Sequence, residues 1–174
     1  ADTLKIISGN IERGTDTAKS LPTITNIETL DLRLQGGASS SVNLSAFDAA
    51  LTSVVLRNEQ ATGAAAAAAG TFTLKEVTKA VAESGITLLH TSGAGDAGQG
   101  TARAAFEEVN IRLNDSTGAN DLVALTVKSD LNTSSTFNYE INLATEAALA
   151  TGATAAQIAA NKVENLTITD SDTE

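Results

Sequence analysis

Apolar and polar residues alternate in short runs along this chain, and one alternating phrase occurs three times. Asn26-Ile27-Glu28-Thr29-Leu30-Asp31-Leu32 is followed by Phe106-Glu107-Glu108-Val109-Asn110-Ile111 and by Val163-Glu164-Asn165-Leu166-Thr167-Ile168. Each reads apolar, Glu, any residue, apolar, polar, apolar. After the apolar-Glu pair every second side chain is apolar, the period of a half-buried strand. Three copies predict a sheet built up by repetition.

Leu4 to Ile7 is one short apolar run; further strands are expected at Val42-Asn43-Leu44, from Leu51 to Leu56, from Ile86 to Leu89, from Leu122 to Val127 and from Phe137 to Leu143. The second signature should extend through Arg112 and Leu113. Pro22 marks a turn into the first signature. Two stretches carry helix signals. Thr73-Leu74-Lys75-Glu76 reads as a capping box, with Leu74, Val77, Ala80 and Val81 on one face and Gly85 as the stop. Thr154-Ala155-Ala156-Gln157 is a second capping box, in an Ala-rich stretch (145–161) interrupted at Gly152. The six alanines between Gly63 and Gly70 are too few to hold a helix in water and are expected to form a loop, the alternative being a segment buried where a neighbour approaches closely.

These elements predict a mostly-β fold: an irregular β-solenoid or a layered β-sandwich with two short helical insertions. The same alternation serves both architectures. The 174 residues form a single β-rich domain or a fragment of a larger extracellular chain, with 1–62 and 71–174 as possible sub-units. The polar ending Thr169-Asp170-Ser171-Asp172-Thr173-Glu174 suggests a piece cut from something longer.

Composition narrows the function classes. Much of the 42% hydrophobic content is Ala and only 3% is aromatic, so the core must be thin and filled by Leu, Ile and Val. A formal charge of −10 argues against binding phosphate backbones. No run approaches the roughly 20 apolar residues that a membrane helix needs. Without Cys there is neither a disulfide framework nor a thiolate metal site, and the single His90 makes zinc or iron chemistry improbable.

No catalytic constellation emerges. His90 has no Ser or Asp at a spacing that identifies a triad. Glu107 and Glu108, as neighbours in a strand, face opposite ways. The glycine-rich stretch 92–100 lacks the lysine of a phosphate-binding loop and the order of a dinucleotide motif. An enzyme is not expected. Calcium is the most plausible ligand, because hard carboxylate and amide oxygens cluster on two turns. Asp115, Asn120 and Asp121 form one group, and Asp170 and Asp172 the other. Ordinary turn chemistry accounts for the same residues. The recurring Glu28, Glu107 and Glu164 could bind an ion, accept turn amides or act as solvated edge charges.

The three signatures, together with Asn43-Leu44-Ser45-Ala46-Phe47 and Leu51-Thr52-Ser53-Val54, resemble bacterial surface-layer proteins and related repeat-in-toxin (RTX) type secreted proteins. The nonapeptide calcium repeat G-G-x-G-x-D is absent; Gly93-Ala94-Gly95-Asp96 is its nearest echo. The resemblance implies a secreted, calcium-dependent structural segment at the bacterial cell surface, whose partners are other copies of itself or of the parent chain. The alternative is an extracellular adhesin that recognises cell-surface glycan. Four Phe and Tyr139 offer few aromatic platforms for a sugar.

Overall fold

The computed structural model describes residues 1–7, 23–34, 39–58, 71–90, 108–114, 121–129, 140–145, 152–156 and 163–170. Ten strands in these segments form two open sheets. The larger holds β1 (Thr3–Ile7), β2 (Thr29–Leu34), β4 (Ser53–Asn58), β6 (Ile86–His90), β8 (Leu122–Ser129) and β10 (Asn165–Asp170), hydrogen-bonded in that order. The smaller runs β3 (Ser40–Asn43), β5 (Thr71–Val77), β7 (Glu108–Leu113) and β9 (Glu140–Thr145). From β2 onward the chain changes sheet at every strand. Every pairing is parallel.

The alternation read from the sequence decides which side chains go inward. Leu30 and Leu32, Val54 and Leu56, Ile86 and Leu88, Val123 and Leu125 are buried on the larger sheet. Phe72, Leu74, Val109, Ile111 and Leu113 are buried on the smaller one. All belong to one apolar cluster, joined by Leu44, Ala46, Phe47 and Leu51 from the turn between β3 and β4. Strands of the two possible sub-units are neighbours in both sheets, because β3 pairs with β5 and β4 with β6.

The turn before β4 is organised by polar side chains. A single 3-10 turn (Leu44–Ala46) begins after Asn43, whose Oδ1 accepts the Ser45 N–H at 2.9 Å. Asp48 Oδ1 accepts the Ala50 N–H at 3.1 Å, and its Oδ2 accepts the Asn26 N–H at 3.2 Å. Asn26 itself has φ 60, a left-handed conformation that Asn tolerates better than most residues.

One expectation is overturned. Thr73-Leu74-Lys75-Glu76 does not start a helix: it lies inside β5, and the helix α1 (Lys79–Ser84) starts only after Thr78. Ala80, assigned to the apolar face, is exposed, while Val81 and Ala82 are buried. The balance of energies explains the shift. A cap stabilises by about 1 kcal/mol. Burial of Phe72, Leu74 and Val77 contributes on the order of 1.5–3 kcal/mol each. As a strand, the segment also has parallel partners on both edges, β3 and β7. Glu76 takes φ 53 where the register against β7 shifts between Leu74 and Val77. This bulge leaves both Lys75 and Glu76 outside and returns Val77 to the core. Thr78 then supplies the cap by accepting the Val81 N–H, and Gly85 ends the helix as expected.

The second capping box is met in part, since Ala155 and Ala156 are helical directly after Thr154, and Gly152 turns with φ 84. The alanine run, the glycine-rich stretch and Phe137 lie outside the described residues. Replacing Phe72 by Ala should lower the unfolding free energy by about 3–5 kcal/mol. The outward-facing Thr87→Ala should change it by less than about 0.5 kcal/mol. Denaturant unfolding of the two variants checks this.

Candidate functional site

The signature glutamates do a shared job at strand starts. Glu28 and Asp2 each stand one residue before the paired strands β2 and β1, and Glu28 Oε2 accepts the Asp2 N–H. Glu164 and Asp121 occupy the same positions before β10 and β8. Glu164 Oε2 accepts the Asp121 N–H at 3.1 Å, and the Asp121 carbonyl accepts the Asn165 N–H at 3.0 Å. Both signatures on the larger sheet therefore anchor to the start of the neighbouring, earlier strand through a carboxylate and an amide. Of the three roles open to these residues, acceptance of turn amides is the one the geometry displays. Glu107 lies outside the described residues, and the second signature serves the smaller sheet as β7. There Glu108 faces outward and its Oε1 accepts from Asn142 Nδ2 at 2.7 Å.

Two of the five calcium candidates are described. Asp121 sits at the start of β8, and its Oδ2 is buried without a hydrogen-bond partner. Asp170 is exposed at the far end of β10, in register with Val127. About six residues of strand, on the order of 20 Å, separate it from the level of Asp121. The two are not brought together. Asp115, Asn120 and Asp172 lie outside the described residues, and among those that are described no three acidic or imidazole side chains gather. The unpartnered Asp121 oxygen beside the Glu164 carboxylate has the hard-oxygen chemistry of a calcium ligand. Two carboxylates alone fall short of the six to eight oxygens that the ion takes.

A charged cluster that the sequence does not announce lies on the outer face of the larger sheet. Asp31, with 4% of its side chain exposed, accepts from Arg57 Nε at 2.8 Å and pairs with Arg33 at 3.5 Å. Arg33 and Arg57 are themselves register partners on β2 and β4. One carboxylate thus bridges two cations that would otherwise repel. The only hint was a polar residue at an outward position of the first signature; its partner follows from register alone. His90 ends β6, with its backbone opposite Asn58 and Ser129.

The last strand is different in kind. Leu166 and Ile168 lie in register with the buried Val123 and Leu125 but are 48% and 54% exposed. β10 pairs only with β8, so its other edge is free among the described residues. β1, at the opposite end of the same sheet, pairs only with β2. No protein family, curated protein or solved structure matches the chain.

Removal of Asp31 should be costly because it leaves two guanidinium groups facing one another. Asp31→Ala is expected to lower unfolding free energy by roughly 1.5–3 kcal/mol, the range for hydrogen bonds to charged groups. A double-mutant cycle with Arg57→Ala should return a coupling of the same sign.

Proposed function

We propose that this chain is a non-catalytic structural segment of a calcium-assisted, self-assembling protein of the bacterial cell surface, folded as an irregular two-sheet β-solenoid. The observation that carries the proposal is the pairing of parallel sheets in which, among the described residues, each end strand of the larger one pairs on one edge only. Such a stack has no geometrical reason to stop at a given strand. Its last strand also presents half-exposed Leu166 and Ile168, a combination that favours association over solitude.

The solenoid reading is supported by the order of the strands. A chain that changes sheet at each step, and meets its own previous turn in parallel, winds as a coil. A sandwich of hairpins would bring sequential strands together antiparallel. Outward faces that are mainly polar also fit a coil better than a sheet covered by helices, where strands read as continuous apolar runs.

Calcium would act at the strand starts and turns. Asp121, with its buried and unpartnered oxygen, and Glu164, whose carboxylate accepts the Asp121 N–H, are the described candidates; Asp115 and Asn120, grouped with Asp121 in the sequence, would add ligands. Asp170 and Asp172 would form a separate site at the other end of β10. The acidic balance of the chain suits such a role, since divalent cations relieve the repulsion of crowded carboxylates.

Thermal melts at millimolar calcium and in chelator, with light scattering, test the assignment, because extracellular calcium modules bind at about 10⁻⁴–10⁻³ M. The expected result is a higher melting temperature with calcium, diminished in Asp121→Asn, together with growing particles. Identical melting and particle size in chelator would overturn the calcium role.

A further inference from the structure

We propose that the free edge of β10 is a docking strip for β1 of a second copy of this chain, seated in parallel with Leu4 beside Leu166 and Ile6 beside Ile168. The proposal rests on the self-assembling function above and names its contact.

The larger sheet supplies the rule for the junction. Leu4, Leu30, Val54, Ile86, Leu125 and Ile168 are successive register partners and form one ladder through the sheet. The adjoining ladder runs Ile6, Leu32, Leu56, Leu88 and Val127 and then reaches Asp170. Inward apolar residues therefore meet inward apolar residues at every described pairing until the last strand. On β10 the apolar inward pair is Leu166 and Ile168, two positions earlier than the ladders within the chain would place it. An incoming β1 can restore the match in only one of the nearby phases. With Leu4 opposite Leu166, Ile6 falls opposite Ile168 and Lys5 opposite Thr167 on the outer face. With Leu4 opposite Ile168, Ile6 would face Asp170, setting an apolar side chain against a carboxylate.

The favoured phase also aligns the strand starts. It puts Asp2 of the second copy opposite Glu164, one residue before both strands, the level at which Asp2 faces Glu28 and Asp121 faces Glu164 within the chain. At the junction the Glu is on the earlier strand and the Asp on the later, the reverse of the order within the chain. Each copy would then bring one edge and use the other, so the contact is heterologous and extends into a line of copies. A two-fold pairing of β10 with β10 would run antiparallel instead. It would close at two copies and leave β1 bare.

The chain has no Cys, so introduced thiols report the contact without background. Lys5 and Thr167 are exposed, which leaves Lys5→Cys and Thr167→Cys free of core effects, and unchanged melting temperatures verify this. Neighbouring strands lie about 4.8 Å apart, within the Cα separations of about 4.4–6.8 Å that a disulfide spans. The two variants are mixed at about 100 μM, a concentration at which even a contact weaker than micromolar is substantially formed, and oxidised. The expected product is the mixed dimer of one variant with the other, exceeding either self-dimer at least tenfold. The pair Leu166→Lys with Ile168→Lys should abolish it at unchanged melting temperature.

A Thr167→Cys or Lys5→Cys self-dimer as the main product would overturn the proposal in favour of a two-fold contact. Monomer alone would overturn it outright. Cross-linking that persists in chelator upholds this junction while removing calcium from the assembly. A calcium-dependent melt with no mixed dimer does the reverse.

Discussion

The structure depends on one constraint: each strand of the larger sheet must lie parallel to the one before it with its inward apolar residues in step. The ladder from Leu4 through Leu30, Val54, Ile86 and Leu125 embodies it. A slip of one residue would turn every inward side chain outward. With few aromatic residues to fill space, the core is a set of aliphatic rows, each closed by the rows above and below. The register is consequently worth more than any single contact. The carboxylate-to-amide bonds of Glu28 and Glu164 at the strand starts and the turn clamp of Asp48 all serve to hold it.

Parallel sheets are ordinarily buried on both faces. Here the outward positions of the larger sheet include Lys5, Arg33, Arg57, Thr87, Lys128 and Thr167, and the inward ones hold most of the buried apolar residues. That arrangement tolerates connections of very different length between strands, since the entropy of closing a connection rises only slowly with its length. It also explains why Asp31 can be nearly sealed from solvent on the outer face and still be satisfied. Arg57 and Arg33 close around it from neighbouring positions of β4 and β2. The same feature that makes the stack easy to lengthen makes its ends unfinished, and Leu166 and Ile168 show that in their exposure.

The candidate site was partly legible in the residues. The signature glutamates stood out because they recur, and two of them prove to perform the same bond at equivalent positions. Asp121 stood out as one of a cluster of turn residues, and one of its carboxylate oxygens proves to be buried without a hydrogen-bond partner. Asp31 gave no such signal. Its partner Arg57 is 26 residues away, and no local pattern connects them.

What the sequence determined by itself was the inward and outward assignment of most strands, because alternation follows from backbone geometry and needs no partner to be read. It also determined the stop at Gly85 and the strand character of the three signatures. Strand direction, sheet membership and register came only with the tertiary structure. Alternation is the same in parallel and antiparallel strands, and the uneven spacing of the strands hides which of them pair. The fate of Thr73-Leu74-Lys75-Glu76 was settled there too. Its capping signal is local and weak, whereas the neighbouring β3 and β7 offer it two ladders and a core, and those exist only once the distant strands have come together.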